Sequence, residues 1–176
     1  MAGKWHTSAE PDLTAAVGRV FDDVYGVDLK AAGVRVTPLF AHAARNDDGE
    51  PKGPAIVVGG RAAAVTVKVV PQRDRVAGLD DVLLIVDGDS WPEMSAEDRL
   101  AVIDHGLQQI ELVIDPDSDQ GAPLLDDCNR PKLRKRRPDF AVAGYASVVS
   151  RHGLRAPEAK ALESAGRLVR EWAPAA

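Results

Sequence analysis

Residues 104–109 read Asp-His-Gly-Leu-Gln-Gln, and their types and spacing offer the chain's clearest chemistry. On a helix, His105 and Gln109 stand four positions apart, one turn above the other on a single face. The apolar positions Leu100, Ile103, Leu107, Ile110 and Ile114 repeat at 3-4-3-4 spacing and centre on the opposite side. Two positions four apart, turned away from a core, are how a helix offers a pair of imidazoles to zinc. A carboxylate beside the first of them then takes the proton of bound water. Here the three positions hold His105, Gly106 and Gln109. Glycine has no group that accepts a proton, and an amide oxygen is a poor zinc ligand beside imidazole. Gly106 also costs a helix about 1 kcal/mol relative to alanine. As written, the segment is expected not to hydrolyse peptides, and the simpler reading of His105 is a partly buried histidine that holds no metal.

Other residues are metal ligands by type only. Asp104, Glu111, Cys128 and His152 have the right donors, but Glu111 lies six residues beyond His105, about 240° around the helix. His152, just before Gly153, suits the C-terminal end of a helix, where the dipole favours it. Cys128 reads as a small buried or loop thiol, and as the only cysteine it excludes an internal disulfide and a CxxC metal framework. Asp115, Asp117, Asp119 and Asp126 have the spacing of a calcium loop, but Gln120 stands where that loop needs glycine, and Asp126 is short for the bidentate glutamate. A solvated acidic loop is the simpler reading. No GxxxxGK[ST], GxGxxG or GxSxG occurs, and Gly59-Gly60 fits a turn.

Residues 130–137 are six-eighths basic: Arg130, Lys132, Arg134, Lys135, Arg136 and Arg137. On a strand, Lys132, Arg134 and Arg136 would face one way, a strip that could track phosphates. The competing reading is an edge strand kept from aggregation by its charges, or one paired with the acidic loop before it. No aromatic residue is interleaved for base stacking.

The elements that must position these groups follow from periodicity. Leu13, Val17, Val20 and Val24 predict a helix over residues 10–25, entered through Pro11. Val34 and Val36, interrupted by Pro38, suit an edge strand. Alternation over Val65, Val67 and Val69 predicts a half-buried strand, and the apolar run 81–87 a central one. Ser95 and Asp98 open the central helix, which the seam carries to Ile114. Residues 131–137 predict a strand and 138–150 a helix, and Leu162, Ala165, Val169 and Trp172 mark a last amphipathic helix, packed on the domain or shared between two copies.

In order, these pieces resemble the phage metallopeptidase family, small zincin-like proteins. The family has an apolar strand ending in Asp and followed by Trp, then a helix with His-Glu-x-x-His. A Pro-Lys-Leu basic strand and a helix ending in Arg-His-Gly come after. This chain has 83–87 with Trp91, 95–99 leading into Asp104 and His105, Pro131-Lys132-Leu133, Asp139-Phe140, Val148-Val149 and Arg151-His152-Gly153. The resemblance implies an α+β, zincin-like layered domain with a mixed sheet of three or four strands and helices packed on it, plus a C-terminal helix. It would span residues 1–154, with 155–176 appended. Gly106 replaces the family's general base and Gln109 its second histidine. The resemblance therefore implies a phage-encoded, metallopeptidase-like protein that has lost its chemistry and works by binding a host or phage protein. Two alternatives stand beside it: a divergent zinc peptidase drawing on His105, Asp139 and His152, and a nucleic-acid binder using residues 130–137. No cofactor is expected, and zinc only under the first alternative.

Composition sets the outer bounds. At 176 residues, 45% hydrophobic and 28% charged, the chain has enough apolar surface to bury one core. No apolar run reaches the roughly 18 residues of a membrane helix, and the first residues lack a signal h-region. A soluble protein of the cytoplasm, the host's if phage-encoded, is expected. The net charge of −5 hides a polarity, for residues 130–176 hold half of the 22 basic residues.

Overall fold

The computed structural model describes residues 3–137 and the helical residues 162, 163, 166 and 167. The chain divides into two compact units, Met1–Arg136 and Arg137–Ala176. The helix expected over 138–150, with Asp139 and His152, lies outside the described residues, as does most of the terminal helix.

The first unit is a four-stranded mixed sheet with helices on it, an α+β arrangement. Strand β1 (Trp5–Ser8) precedes helix α1 (Pro11–Tyr25), and β2 (Val36–His42) follows. A polar excursion carries the short hairpin β3 (Val57–Val58) and β4 (Arg61–Ala62). Gly59 and Gly60 both have positive φ, 57° and 78°, as a two-residue hairpin turn requires. Next come β5 (Val65–Val69), the one-turn helix α2 (Gln72–Val76) and β6 (Val82–Asp87). Helix α3 (Ala96–Leu107) leads into a second hairpin-like pair, β7 (Ile110–Leu112) and β8 (Leu133–Lys135). The main sheet runs β1-β2-β6-β5: β2 and β6 are parallel, and both edge strands are antiparallel to their neighbours.

Period-two alternation sends Phe40, Val65, Val67, Val82, Leu84 and Val86 to one face, where Leu13, Val17 and Val20 of α1 and Ile103 and Leu107 of α3 cover them. The opposite face is covered at one end by the excursion, through Ala43, Ala55 and Ile56 against Ala41 and Ile85. The seam of α1 departs from expectation at its last position. Val24 is exposed and Tyr25 is buried instead, because the chain passes there into a π-helix, Gly26–Lys30, which changes the angular step.

Trp91 fixes where α1 and α3 meet. Its indole N–H donates to Asp12 at the start of α1, 2.9 Å away, and the Arg99 guanidinium of α3 donates to the same carboxylate at 3.1 Å. Arg99 also lies over the Trp91 ring, 4.8 Å from its centroid.

Candidate functional site

Helix α3 begins as its sequence demands. The Ser95 hydroxyl oxygen accepts the Asp98 N–H at 3.1 Å, with Glu97 and Asp98 in the positively polarised first turn. Its end corrects the expectation of a helix running to Ile114. The α-helix stops at Leu107, and Ile110, Glu111 and Leu112 pair with Lys135, Arg134 and Leu133. Ile110 and Ile114 of the helical seam also satisfy, with Leu112, a period of two, and the ladder with β8 decides between them. Glu111 and Arg134, directly opposite, close that ladder with an ion pair of 2.6 Å.

Gln109 therefore stands beyond the helix rather than one turn above His105. Its amide N–H donates back to the His105 carbonyl at 3.3 Å. The His105 ring is exposed and borders a shallow groove of about 450 Å³ between α3 and the edge strand β5. Ala63, Val65, Asp98, Ala101 and Val102 share that lining.

Gly106 faces the other way, onto the sheet. A Cβ there would lie 2.5 Å from Leu84 Cδ1 and 2.8 Å from Val65 Cγ2. Both neighbours are buried, Leu84 completely. The glycine thus lets α3 close on β5 and β6, which offsets its cost in helix propensity, and a longer side chain at 106 would enter the core. Among the described residues, an ion on this turn would meet one imidazole, a glycine pointing away and an amide turned back to the helix end. That donor set does not fit zinc. Among the described residues, no three His, Cys, Asp or Glu side chains are grouped to hold a metal.

Of the remaining donors among the described residues, Asp104 and Glu111 are committed elsewhere. Asp104 accepts the phenol proton of the buried Tyr25 at 2.6 Å, tying α3 to α1, and the Gln108 amide oxygen lies 2.9 Å from the Tyr25 hydroxyl. Burial, that hydrogen bond and the Asp104 charge push the Tyr25 phenol well above its ordinary value. Tyr25 and Gln108 also line a larger cavity of about 700 Å³, with Leu29, Ile110 and Leu112. Cys128 is exposed.

The acidic loop and the basic run answer each other. Asp126 accepts the backbone N–H groups of Cys128 and Arg130 in an Asx turn, and its other oxygen lies 2.6 Å from Arg75. Arg130 and Arg75 both pair with Asp81, at 2.7 and 3.3 Å, and the Asp81 carboxylate is fully buried. Asp81 also accepts the Arg35 N–H at 2.9 Å. This network takes Asp126 out of any calcium loop with Asp115, Asp117 and Asp119, and takes Arg130 out of a phosphate-tracking strip. Of that strip, Lys132, Arg134, Lys135 and Arg137 are exposed and Arg136 is half-buried.

Sequence reasoning missed the four-residue network. The Asp-Asp-Cys-Asn-Arg turn was a usable signal for half of it, while nothing local marks Arg75 as a partner of Asp126, fifty-one residues away.

Comparison with known proteins gives one match. The model of a family described as putative phage metallopeptidase covers residues 46–171. No curated protein and no solved structure matches the chain.

Proposed function

The chain belongs to the putative phage metallopeptidase family, and from that premise we propose that it is a non-hydrolytic member that works as a binding protein. The observation that carries this reading is the direction of position 106. The general base of such a motif must stand beside the metal, whereas Gly106 is packed against Leu84 and Val65. Restoring a carboxylate there would require α3 to move off the sheet. The motif would also offer the zinc that the family implies no second imidazole, since position 109 is glutamine and stands beyond the helix.

What survives is the groove beside β5. Its lining is largely small and apolar, with Asp98 and His105 at its border, and β5 is an edge strand of the sheet. An extended polypeptide segment of the partner protein suits such a place, since an edge strand offers main-chain pairing and the groove takes alternate side chains.

The test is metal content and proteolysis together. The purified chain should carry no stoichiometric zinc, cleave no fluorogenic peptide library with zinc added, and melt unchanged on His105→Ala. Stoichiometric zinc that disappears with His105→Ala would revive the peptidase and sink this reading.

Polyanion binding through Lys132, Arg134 and Lys135 is the second reading, favoured by their exposure on and beside β8. A gel shift that weakens steeply with salt would support it, and salt-insensitive or absent binding would dispose of it.

A further inference from the structure

A second constellation stands where the parallel strands β2 and β6 end, the edge of an open sheet at which α/β folds commonly place ligands. His42 is the last residue of β2, and Asp89 lies two residues past the end of β6. Trp5 pairs with His42 and Thr7 with Phe40, so Thr7 and His42 share one face of the antiparallel β1–β2 ladder. Thr7 Oγ1 is 3.2 Å from His42 Nε2, and His42 Nδ1 is 3.1 Å from Asp89 Oδ1. These are the separations of a hydroxyl nucleophile, an imidazole base and an orienting carboxylate.

The arrangement is held from several sides. Asp89 accepts the Ala43 N–H at 2.8 Å and the Arg45 guanidinium at 2.6 Å. Burial pushes its carboxyl up, but the Ala43 N–H, His42 and Arg45 outweigh it and hold the group below its ordinary value. An ionised carboxylate only accepts, so Nδ1 carries a proton towards Asp89, and the form of the ring that acts as a base is the one whose Nε2 lone pair faces the Thr7 hydroxyl. Trp5 stacks on the imidazole at 5.1 Å between centroids and an interplanar angle of 20°. Gly88 leaves the room the ring occupies, for a Cβ there would be 2.5 Å from His42 Cε1. Thr7 itself is exposed.

We propose that Thr7 is an acyl-accepting nucleophile, with His42 as its general base and Asp89 as the positioning residue. Thr7 Oγ attacks the carbonyl carbon of a small activated ester while its proton passes to His42 Nε2. The tetrahedral adduct collapses, the bond from carbon to the leaving oxygen breaks, and His42 returns the proton to the departing alcohol. The products are an ester on Thr7 and the free alcohol. An exposed strand has no walls to bind a large donor, so the donors are small and the reaction places one acyl group per chain. Thr7 and His42 lie outside residues 46–171, while Asp89 lies within them, so the matched family segment holds only the orienting carboxylate of this site.

The experiment treats the full chain with p-nitrophenyl acetate and reads phenol release, intact mass and the acetylated residue by peptide mass spectrometry. One acetyl group on Thr7 is expected. Thr7→Val should abolish it, Thr7→Ser should retain or raise it because a primary hydroxyl is less hindered, and His42→Gln should slow it about a hundredfold. Acetylation on lysines alone, or at Thr7 with unchanged rate in a folded His42→Gln chain, would overturn the proposal. Should His42→Gln fail to fold, Thr7→Val decides, since it keeps the shape of the side chain and removes only the hydroxyl: undiminished acetylation would overturn the assignment.

Discussion

Gly106 and Leu84 stand so close that a single methyl group on the glycine would come within 2.5 Å of Leu84 Cδ1. Two effects of opposite sign meet at that position. Alanine gains about 1 kcal/mol of helix propensity, while inserting a methyl into a packed core costs about 1–3 kcal/mol. Val65, the second neighbour, is β-branched and stiff at χ1, so the core yields poorly. Gly106→Ala should therefore lower stability in urea unfolding by about 1 kcal/mol, and Gly106→Glu by more. In a Leu84→Ala background the alanine penalty should shrink to what the Val65 contact alone imposes. A Gly106→Ala chain more stable than wild type would show that the helix has room to spare.

Arg75 is the hub of the buried network, its side chain 8% exposed beside an Asp81 carboxylate at 0%. Without Arg75, Arg130 still pairs with Asp81, but Asp126 Oδ2 is left buried without its partner, at a cost of about 1–3 kcal/mol. Arg75→Ala should lose that much, whereas Lys30→Ala, which breaks an exposed pair with Asp22, should change stability by less than about 1 kcal/mol. Parallel denaturation curves check the contrast.

Acid should unfold the protein through its held carboxylates. In Asp126, burial raises the pKa, but the N–H groups of Arg130 and Cys128 and the charges of Arg75 and Arg130 outweigh it and lower it overall. The Trp91 hydrogen bond leads the causes that lower Asp12. Folded values below the unfolded ones give stability that is present above the ordinary carboxylate range and lost as pH falls through the folded values. The urea midpoint should thus be flat near neutrality and drop below about pH 4. Asp126→Asn should flatten that drop, measured by urea midpoints across the acid range.

The Tyr25 phenol makes the opposite prediction at high pH. Its folded value is raised above the ordinary 10.0, so the stability it contributes is complete below that value and declines as pH climbs beyond it. Tyr25→Phe should remove the alkaline decline and cost about 1.5–3 kcal/mol at neutral pH, the range for a hydrogen bond to a charged group. Ultraviolet titration of the phenols checks the first part, and unfolding curves the second.

Local signals carried much of the fold. Pro11 and the spacing of Leu13, Val17 and Val20 placed α1 within a residue, and the apolar run 81–87 placed the central strand, observed over Val82–Asp87. The Ser95 cap fixed where α3 starts. Its end was ambiguous, because Ile110 and Ile114 fit both periods and the partner that decides, residues 133–135, lies over twenty positions away. Strand β1 was not legible at all: Trp-His-Thr-Ser has no apolar alternation, and its four residues are exposed. The candidate site was half legible. The types at 105, 106 and 109 follow from the sequence, but the direction of Gly106 depends on how α3 crosses the sheet. The Thr7, His42 and Asp89 group joins three strand ends and leaves no mark in local sequence.

The clasp of Arg75 and Arg130 on Asp81 and Asp126 joins residues 72–81 to residues 126–131 without help from the peptide that runs between them. The exposed tip around Asp117, Asp119 and Gln120 is thus dispensable as a covalent connection. A protease that nicks this tip should leave two fragments that migrate as one particle on a sizing column at neutral pH and part company in acid, when Asp126 takes up a proton.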